Sequence, residues 1–328
     1  MNNIKPIIFM ITSLLIMSCE KSKSIQVDHY LSADQKHNKF SRTIEPVLKV
    51  ESGVVIQAET SEASDGQLGK NATLEDLKNI DFDPIHPLTG PVYVENAKVG
   101  DILAVDLLKI DLHDYGWQAI VGGFGFLTDR FPNPKLSIYD IDTNSKTINY
   151  KNKVKIPLKP FAGVMGVAPD TDELLSTIPP RENGGNMDDP SIVEGTTVYF
   201  PVLVDGALFS IGDTHAVQGL GEVCGTALES PMTITYRVRV LKGKVPIPEP
   251  QYENDEIYAV TGFGETIDIA TKKAVNYMVD HLSSNYDLTE EEAYMLCSLV
   301  GDLKIAEVVD VPNMLVTMHF PKSILSQL

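Results

Sequence analysis

Acidic residues, one histidine and one cysteine fall close together between residues 201 and 232 of the sequence. They are Asp213, His215, Glu222, Cys224 and Glu229, and five glycines are interleaved with them. Glycines permit tight turns and close backbone approach, so these polar side chains can converge. Asp213 and His215 are two residues apart, which places both on one face of an extended strand and suits them to one divalent metal ion. Surface loops also contain Asp-x-His, so the spacing alone leaves both interpretations open.

Cys224 allows two interpretations, a nucleophile or a buried structural side chain. A thiolate beside Glu222 would resemble the nucleophile of enzymes that combine Cys with Glu and Lys. No Lys stands near Cys224, however, and a spacing of two residues does not by itself activate a thiol. A serine nucleophile is not supported either, because the sequence contains no Gly-x-Ser-x-Gly motif.

The elements that must position these residues are mainly strands. Short runs rich in Val, Ile, Thr and Phe, separated by Gly, Pro, Asp or Asn, extend from Ile44 to about Val240 and are typical of strands joined by turns. The predicted strands are Val54–Glu59, Val92–Val94, Ile102–Ile110, Lys135–Asp140, Thr147–Tyr150, Thr196–Val204 and Met232–Leu241. The glycine-rich stretch 121–126 is predicted to be a turn, because no Lys follows it as in a phosphate-binding loop.

The pattern changes after the proline-rich link 245–250. The predicted elements beyond it are helices over Ile267–Leu282 and Thr289–Val300 and strands over Lys304–Val311 and Met314–Phe320. Thr289 followed by Glu292 is typical of a capping box that opens the second helix. The fold class predicted is therefore mostly β, with a β-sandwich or barrel-like region over residues 39–245 and a smaller α+β C-terminal domain over residues 251–328.

Composition excludes several classes of protein. The chain has 328 residues with 43% hydrophobic content, which allows two or three domains and excludes a wholly disordered chain. Its 27 Lys and Arg against 45 Asp and Glu give a formal charge of −18, which repels phosphate backbones and predicts no nucleic-acid partner. Three cysteines, at positions 19, 224 and 297, cannot build a disulfide scaffold.

Residues 1–18 have the pattern of a signal peptide. Their apolar run, residues 7–17, is too short for a membrane-spanning helix, which needs ~20 apolar residues. The ending Ser18-Cys19 resembles a bacterial lipobox, so Cys19 is predicted to be lipidated and to anchor the chain in the lipid bilayer of the bacterial cell envelope, on the periplasmic or outer side. Residues 19–38 would form a flexible tether. The alternative is a plain secretory signal with Cys19 incidental.

Four stretches of sequence carry a resemblance to a known family. They are IHPLTGPVYVE at 85–95 with the following Gly100-Asp101, FAGVMGVAP at 161–169, PRENGGNMD at 180–188, and GALFSIGDTHAVQGLGEVCGTALESPM at 206–232. In this order they resemble the acetamidase/formamidase family of amide hydrolases, over roughly residues 54–320. The resemblance implies a mostly β fold, a homodimer, and hydrolysis of a short neutral carboxamide, such as formamide or acetamide, to a carboxylate and ammonia.

The resemblance also implies a bound divalent metal ion. The oxygen and nitrogen ligand set suits zinc, with calcium as the alternative. The implied residues are Asp65, His86, Asp213 and His215 as metal ligands, Glu222, Glu229 and Glu59 as catalytic acids or bases, and Asn186 and Asp188 as substrate-binding residues. Cys224, which the resemblance does not imply, is also predicted to bind the substrate. Amides are poor electrophiles, so their hydrolysis needs an activated nucleophile, a stabilised oxyanion and an acid. Metal-activated water would supply the nucleophile.

These residues also have structural interpretations. His86 in its His-Pro turn could bond a loop, and Glu59 at the end of an apolar strand could be solvated. Asn186 and Asp188 follow two glycines and could cap turns. Leu220 stands where the family usually has an acidic residue, which favours a rival function: a lipoprotein that keeps the fold and binds a metal ion or ligand without turnover. A scaffold role is the third hypothesis.

Overall fold

The computed structural model describes residues 25–328, and strands dominate its secondary structure. In chain order the strands are β1 (His29–Leu31), β2 (Lys36–His37), β3 (Lys39–Phe40), β4 (Leu48–Val50), β5 (Val55–Thr60), β6 (Leu88–Val94), β7 (Ile102–Leu112), β8 (Tyr115–Ile120), β9 (Lys135–Asp140), β10 (Thr147–Tyr150), β11 (Val154–Pro157), β12 (Phe161–Gly166), β13 (Leu175–Ser176), β14 (Gly184–Asn186), β15 (Thr197–Pro201), β16 (Phe209–Val217), β17 (Leu228–Glu229), β18 (Met232–Leu241), β19 (Gln251–Glu253), β20 (Ile257–Gly264), β21 (Asp302–Glu307) and β22 (Met314–Pro321). The helices are α1 (Leu74–Lys78), α2 (Ile267–Asn285), α3 (Glu290–Val300) and α4 (Lys322–Leu325). The predicted signal peptide and Cys19 lie outside the described residues.

Most of the strands belong to two nine-stranded sheets. The first sheet has the order β1-β5-β18-β7-β15-β19-β20-β22-β21. The second sheet runs β14-β12-β16-β17-β8-β9, and β6 pairs with β16 as well as with β2 and β4. Only the pairs β1–β5 and β4–β6 are parallel among the paired strands of residues 25–328. This arrangement confirms the predicted mostly β fold class.

Strand β18 shows how the sequence forms the first sheet. Its fully buried residues include Met232, Ile234, Tyr236 and Val238. Because alternate residues of a strand point to one face, these side chains share the inner face of the sheet. Tyr236 packs edge-on against Phe209 of β16, with ring centroids 5.4 Å apart, and Phe209 contacts Phe200 of β15 at 5.6 Å. The main hydrophobic core therefore lies between the two sheets.

Both C-terminal helices begin at threonine caps, of which only Thr289 was predicted from the sequence. Thr289 and Glu292 form the capping box of α3. Helix α2 begins after Thr266, whose hydroxyl accepts the backbone N–H of Ile269 at 3.2 Å. Helix α2 packs on β20 and β22, and α3 packs on α2 and β22, through a second core cluster that includes Met278. Within residues 25–328, no helix combines the length and the apolar character needed to cross a membrane.

The C-terminal strands extend the first sheet. Strands β19, β20, β22 and β21 follow β15 in it, so the α+β segment is hydrogen-bonded to the β-rich region. One predicted boundary is wrong in this segment. The strand predicted over Lys304–Val311 spans Asp302–Glu307, because the chain turns after Glu307 toward the interior. The turn places Asp310 in a buried position.

Candidate active site

The polar residues of the sequence motifs meet at one cavity of about 220 Å³. We define its polar side by the residues His86, Asn186, Asp188, Asp213, His215, Glu222, Thr226, Glu229 and Asp310. We define its apolar wall by the residues Ala63, Leu77, Ile80, Phe82, Ile85, Trp117, Val121, Phe124 and Ile178. In the described part of the chain, neither Lys nor Arg lines this cavity.

Strand β16 carries the centre of the polar side. Asp213 and His215 lie on this strand, and His215 is paired in register with Glu229 of the neighbouring β17. On the other side of β16, β12 and then β14 follow, and β14 ends at Asn186. Adjacent strands of the second sheet therefore bring together residues from two separate sequence motifs.

Gln218 fixes the orientation of the His215 ring. The side-chain NH₂ of Gln218 donates to the backbone carbonyl of Asp188 at 2.6 Å, so its Oε1 faces Nδ1 of His215 at 2.8 Å. An amide oxygen only accepts, so Nδ1 carries a proton and Nε2 is the nitrogen that can bind a metal ion. Nε2 lies 3.2 Å from Oε2 of Glu229 and 3.5 Å from Oδ1 of Asp213. The sequence carries no signal that singles out Gln218.

Four residues of the polar side have left-handed backbone conformations. Their φ angles are 54° for His86, 41° for Asp188, 47° for Asp213 and 44° for Glu222. Residues other than glycine rarely adopt this region, and such conformations cluster at functional sites. At Asp213 the left-handed conformation replaces the extended backbone that was predicted from the Asp-x-His spacing. The two side chains still meet, with Nε2 of His215 3.5 Å from Oδ1 of Asp213.

Burial raises the pKa of most carboxyl groups on the polar side. Burial and then the neighbouring carboxylates raise the pKa of Glu222 well above its usual value, and burial raises the pKa of Glu229 to about 7. Burial opposes a charge on His215, but the surrounding carboxylates raise its pKa well above the usual value. Burial alone would raise the pKa of Asp213, but the two nearby histidines hold it below the usual value. The cluster thus favours positive charge at its centre, from a proton on His215 or a metal ion.

Two groups of buried side chains could hold a metal ion. They are Asp213 with His215 and Glu229, and Asp188 with His215 and Glu222, and the ligand atoms of each group lie within 4.8 Å of one another. Oδ1 of Asp213, Oε2 of Glu229 and Oδ1 of Asp188 are buried and accept no hydrogen bond. Unsatisfied buried oxygens are costly, and a cation would satisfy them. Nε2 of His215 faces Asp213 and Glu229 of the first group, whereas Asp188 of the second group lies 3.5 Å from Nδ1, which is already bonded to Gln218. The first group therefore fits a metal ion better.

Asp310 is a residue of the polar side that the sequence analysis missed. Its Oδ2 accepts the side-chain N–H of Asn186 at 2.8 Å. Burial, then the charges of Asp188 and Glu307, raise the pKa of Asp310 well above its usual value. Asp310 is remote in sequence from the cluster at 201–232, and no motif around it indicates chemistry. Only the pairing of β21 and β22 into the first sheet brings it to the cavity.

The structure does not bring Glu59 or Asp65 to the cavity. Glu59 lies on β5 between the buried Ala58 and Thr60, so its side chain points to the opposite, exposed face. Asp65 forms an ion pair with Lys36. The positions of these two side chains therefore do not support the catalytic role predicted for Glu59 or the ligand role predicted for Asp65.

Cys224 and Leu220 also lie outside the cavity. Sγ of Cys224 is partly buried and lies 3.3 Å from the carbonyl oxygen of Thr226. Leu220 is 47% exposed. The position where the family usually has an acidic residue is therefore on the surface, and Leu220 removes no carboxylate from the polar side.

Fold and cavity together define a mostly β protein with a buried acidic site that can hold a cation. A sequence model of the acetamidase/formamidase family matches residues 24–177 and 171–327. An acetamidase of Mycolicibacterium smegmatis is 30% identical over 291 residues, which are 70% of this chain and 70% of the relative. A formamidase of Methylophilus methylotrophus is 26% identical over 88% of this chain and 89% of the relative. The chain belongs to the acetamidase/formamidase family.

A solved structure is similar over nearly the whole chain. The crystal structure of a predicted acetamidase/formamidase from the thermophile Thermoanaerobacter tengcongensis has a TM-score of 0.86 to this protein. The two chains are 34% identical, and the match covers 91% of this chain and 97% of that chain. The fold of this protein is therefore the fold of that predicted acetamidase/formamidase.

Proposed function

We propose that the protein hydrolyses a small neutral carboxamide to a carboxylate and ammonia. Membership of the acetamidase/formamidase family supports an enzyme that acts on amide C–N bonds. The observation that carries the proposal is the convergence of Asp213, His215 and Glu229 on one buried side of a cavity. Because neither Lys nor Arg lines this cavity within residues 25–328, its potential disfavours an anionic substrate and suits a neutral amide.

We propose that the resident metal ion is zinc. Asp213, His215 and Glu229 would hold it, and their oxygen and nitrogen donors suit that ion. Nε2 of His86 lies 3.8 Å from Oδ2 of Asp213 and offers a further nitrogen donor. A bound divalent ion would polarise the amide carbonyl and lower the pKa of water to about 7.

The remaining polar residues would bind the amide and move protons. Hydrolysis forms a bond from water oxygen to the carbonyl carbon, breaks the C–N bond, and transfers a proton from water to the departing nitrogen. Oδ1 of Asn186 is buried without a hydrogen-bond partner and can accept an N–H of the substrate amide. Nδ2 of the same side chain is held by Asp310, which fixes its orientation. Glu222, buried beside the first group, would carry the proton from water to nitrogen.

Two further parts of the proposal rest on the sequence. The resemblance implies a homodimer, and Cys19 would attach each chain to the bilayer of the bacterial cell envelope. The net charge of −18 would keep the catalytic region away from anionic surfaces.

The test is ammonia release from formamide and acetamide by the purified protein, with metal analysis of the same sample. A chelator should abolish release, and zinc should restore it. Glu222→Gln should lower the rate by about 10²-fold or more, whereas the exposed Glu51→Gln should leave it unchanged. A protein that holds metal but releases no ammonia from any neutral amide would support the rival, non-catalytic binding function.

A further inference from the structure

The apolar wall of the cavity has no part in the proposed hydrolysis of the amide group. The apolar wall faces the polar side and is formed by three parts of the chain. They are the segment 63–85 around α1, strand β8 with the loop that follows it, and Ile178. A site that handled only the amide group would need the polar side alone.

The deepest part of the apolar wall is preformed. Ala63, Leu77 and Trp117 are 7%, 3% and 3% exposed, and they belong to one core cluster with Leu68 and Ala119. Well-packed core side chains hold fixed rotamers, so this part of the wall keeps its shape before a ligand binds.

The same part of the wall offers a ligand no polar group. The indole N–H of Trp117 donates to Oε2 of Glu62 at 2.6 Å. Both oxygens of Glu62 also accept hydrogen bonds from Ser64, and Oε1 accepts the backbone N–H of Gly66. The ring of Trp117 therefore faces the cavity as an apolar surface whose only donor is already satisfied.

The cavity is also larger than formamide or acetamide requires. Its volume is about 220 Å³. An apolar protein cavity of about 150 Å³ accommodates benzene. Formamide and acetamide are much smaller than benzene, so either would leave most of the apolar wall uncovered.

We propose, on the basis of the proposed function, that the preferred substrate is a neutral amide of a larger apolar acid, with an aliphatic or aromatic acyl group that covers the apolar wall. The carboxamide then meets His215 and Asn186 on the polar side, and the acyl group contacts Trp117 and Leu77. Each buried methylene contributes ~0.8 kcal/mol, which corresponds to about a fourfold gain in kcat/KM. An acyl group that carried a carboxylate would find neither Lys nor Arg among the described lining residues.

The first experiment compares kcat/KM for ammonia release from formamide, acetamide, propionamide, butyramide and benzamide. We expect a rise of about fourfold per added methylene up to butyramide, with benzamide well above acetamide. A maximum at formamide or acetamide, with a decline for the larger amides, would overturn this inference and leave the proposed function intact.

The second experiment fills the apolar wall. Val121→Trp should lower the ratio of kcat/KM for benzamide over acetamide by about tenfold or more, since it occupies the space for the acyl group. Leu220→Trp, at an exposed position outside this cavity, is the matched control and should not change the ratio. An unchanged ratio in Val121→Trp contradicts the inference.

Calorimetric binding separates this inference from the proposed function. Benzamide should bind the native protein more tightly than acetamide, and Val121→Trp should remove that preference, even if no amide is hydrolysed. Absence of ammonia release together with this preference would refute the proposed function alone. Equal binding of the two amides to the native protein would refute the apolar substrate.

Discussion

Gly163 of β12 lies directly against His215, with no room for a side chain between them. A Cβ atom on Gly163 would lie 2.8 Å from Cε1 of His215 and would overlap Oδ1 of Asp188. Both neighbours are buried, so neither can move into solvent. Gly163 therefore sets the separation between the side chains of Asp188 and His215 at the candidate metal site.

Gly163→Ala should disturb the site more than the fold. Displacement of Asp188 and His215 should lower ammonia release at least tenfold, while overpacking costs about 1–3 kcal/mol of unfolding free energy. Ammonia release, metal content and urea unfolding measure these effects. The control is Gly219→Ala, where no atom lies within 4 Å of the added Cβ. Full activity in Gly163→Ala would show that the spacing of Asp188 and His215 is unimportant.

Asp213 and His215 should share one metal ion. Alanine at either position should remove stoichiometric metal, because loss even of groups that only support ligands costs about 10–100-fold in affinity. Elemental analysis of the purified variants checks this, and activity should fall with metal content. If both variants keep full metal and unchanged turnover, the two residues are structural parts of β16.

Cys224→Ala should retain most of the activity. Sγ of Cys224 lies 3.3 Å from the carbonyl oxygen of Thr226, and Cys224 does not line the cavity that contains His215. Rates of ammonia release and mass spectrometry of the native protein during turnover provide the check. An inactive Cys224→Ala protein, together with an acyl adduct on the native chain, would establish a cysteine mechanism instead.

Asp106 should stabilise the first sheet at pH values above about 4. Burial opposes its charge, but Arg239, Thr197 and Arg237 lower its pKa to about 2, against ~3.9 in the unfolded chain. The stabilisation is therefore complete above about pH 4 and is lost as the pH falls toward 2. Asp106→Asn should cost about 2 kcal/mol at pH 7 and much less near pH 2.

Urea unfolding at both pH values, with the exposed Asp34→Asn as control, measures the contribution of Asp106. A loss in Asp106→Asn that is the same at pH 7 and pH 2 would contradict the assignment.

Cys19→Ser should abolish lipid attachment. The lipobox-like ending Ser18-Cys19 predicts that the mature chain begins at an acylated Cys19, so the variant should accumulate as uncleaved precursor. Fatty-acid labelling and mass spectrometry of the N-terminus decide the matter. An unmodified N-terminus at another residue would favour the plain secretory signal.

Local patterns in the sequence were enough to predict much of the fold. In strand β18 the apolar residues Ile234, Tyr236 and Val238 are buried at every second position, and the capping box of α3 lies within four residues of sequence. Strands β12 and β16 were missed, because β12 is buried throughout and β16 at all but its last residue, so neither alternates. The periodicity that marks a half-exposed strand does not occur in them.

Residue types and spacing alone predicted the candidate site only within the 201–232 motif, whereas His86, Asn186 and Asp188 were predicted from the family resemblance and also line the cavity. Asp213, His215 and Glu229 belong to one motif, and the structure brings their side chains together. Asp310 and the apolar wall come from distant segments, and only tertiary structure joins them. Asp65 and Glu59 suited the chemistry by residue type, but neither is among the residues that line the cavity.

The hydrogen bond between Asn186 and Asp310 spans 124 residues of sequence. Ribosomes add about 5–20 residues per second, so a nascent chain can carry every residue of the 201–232 motif for seconds before Asp310 is made. During that interval Asn186 lacks the partner that orients it, and β22 is not yet present to hold β21 in the sheet. A fragment truncated before residue 300 would lack Asp310, β21 and β22, so we expect it to release no ammonia from an amide.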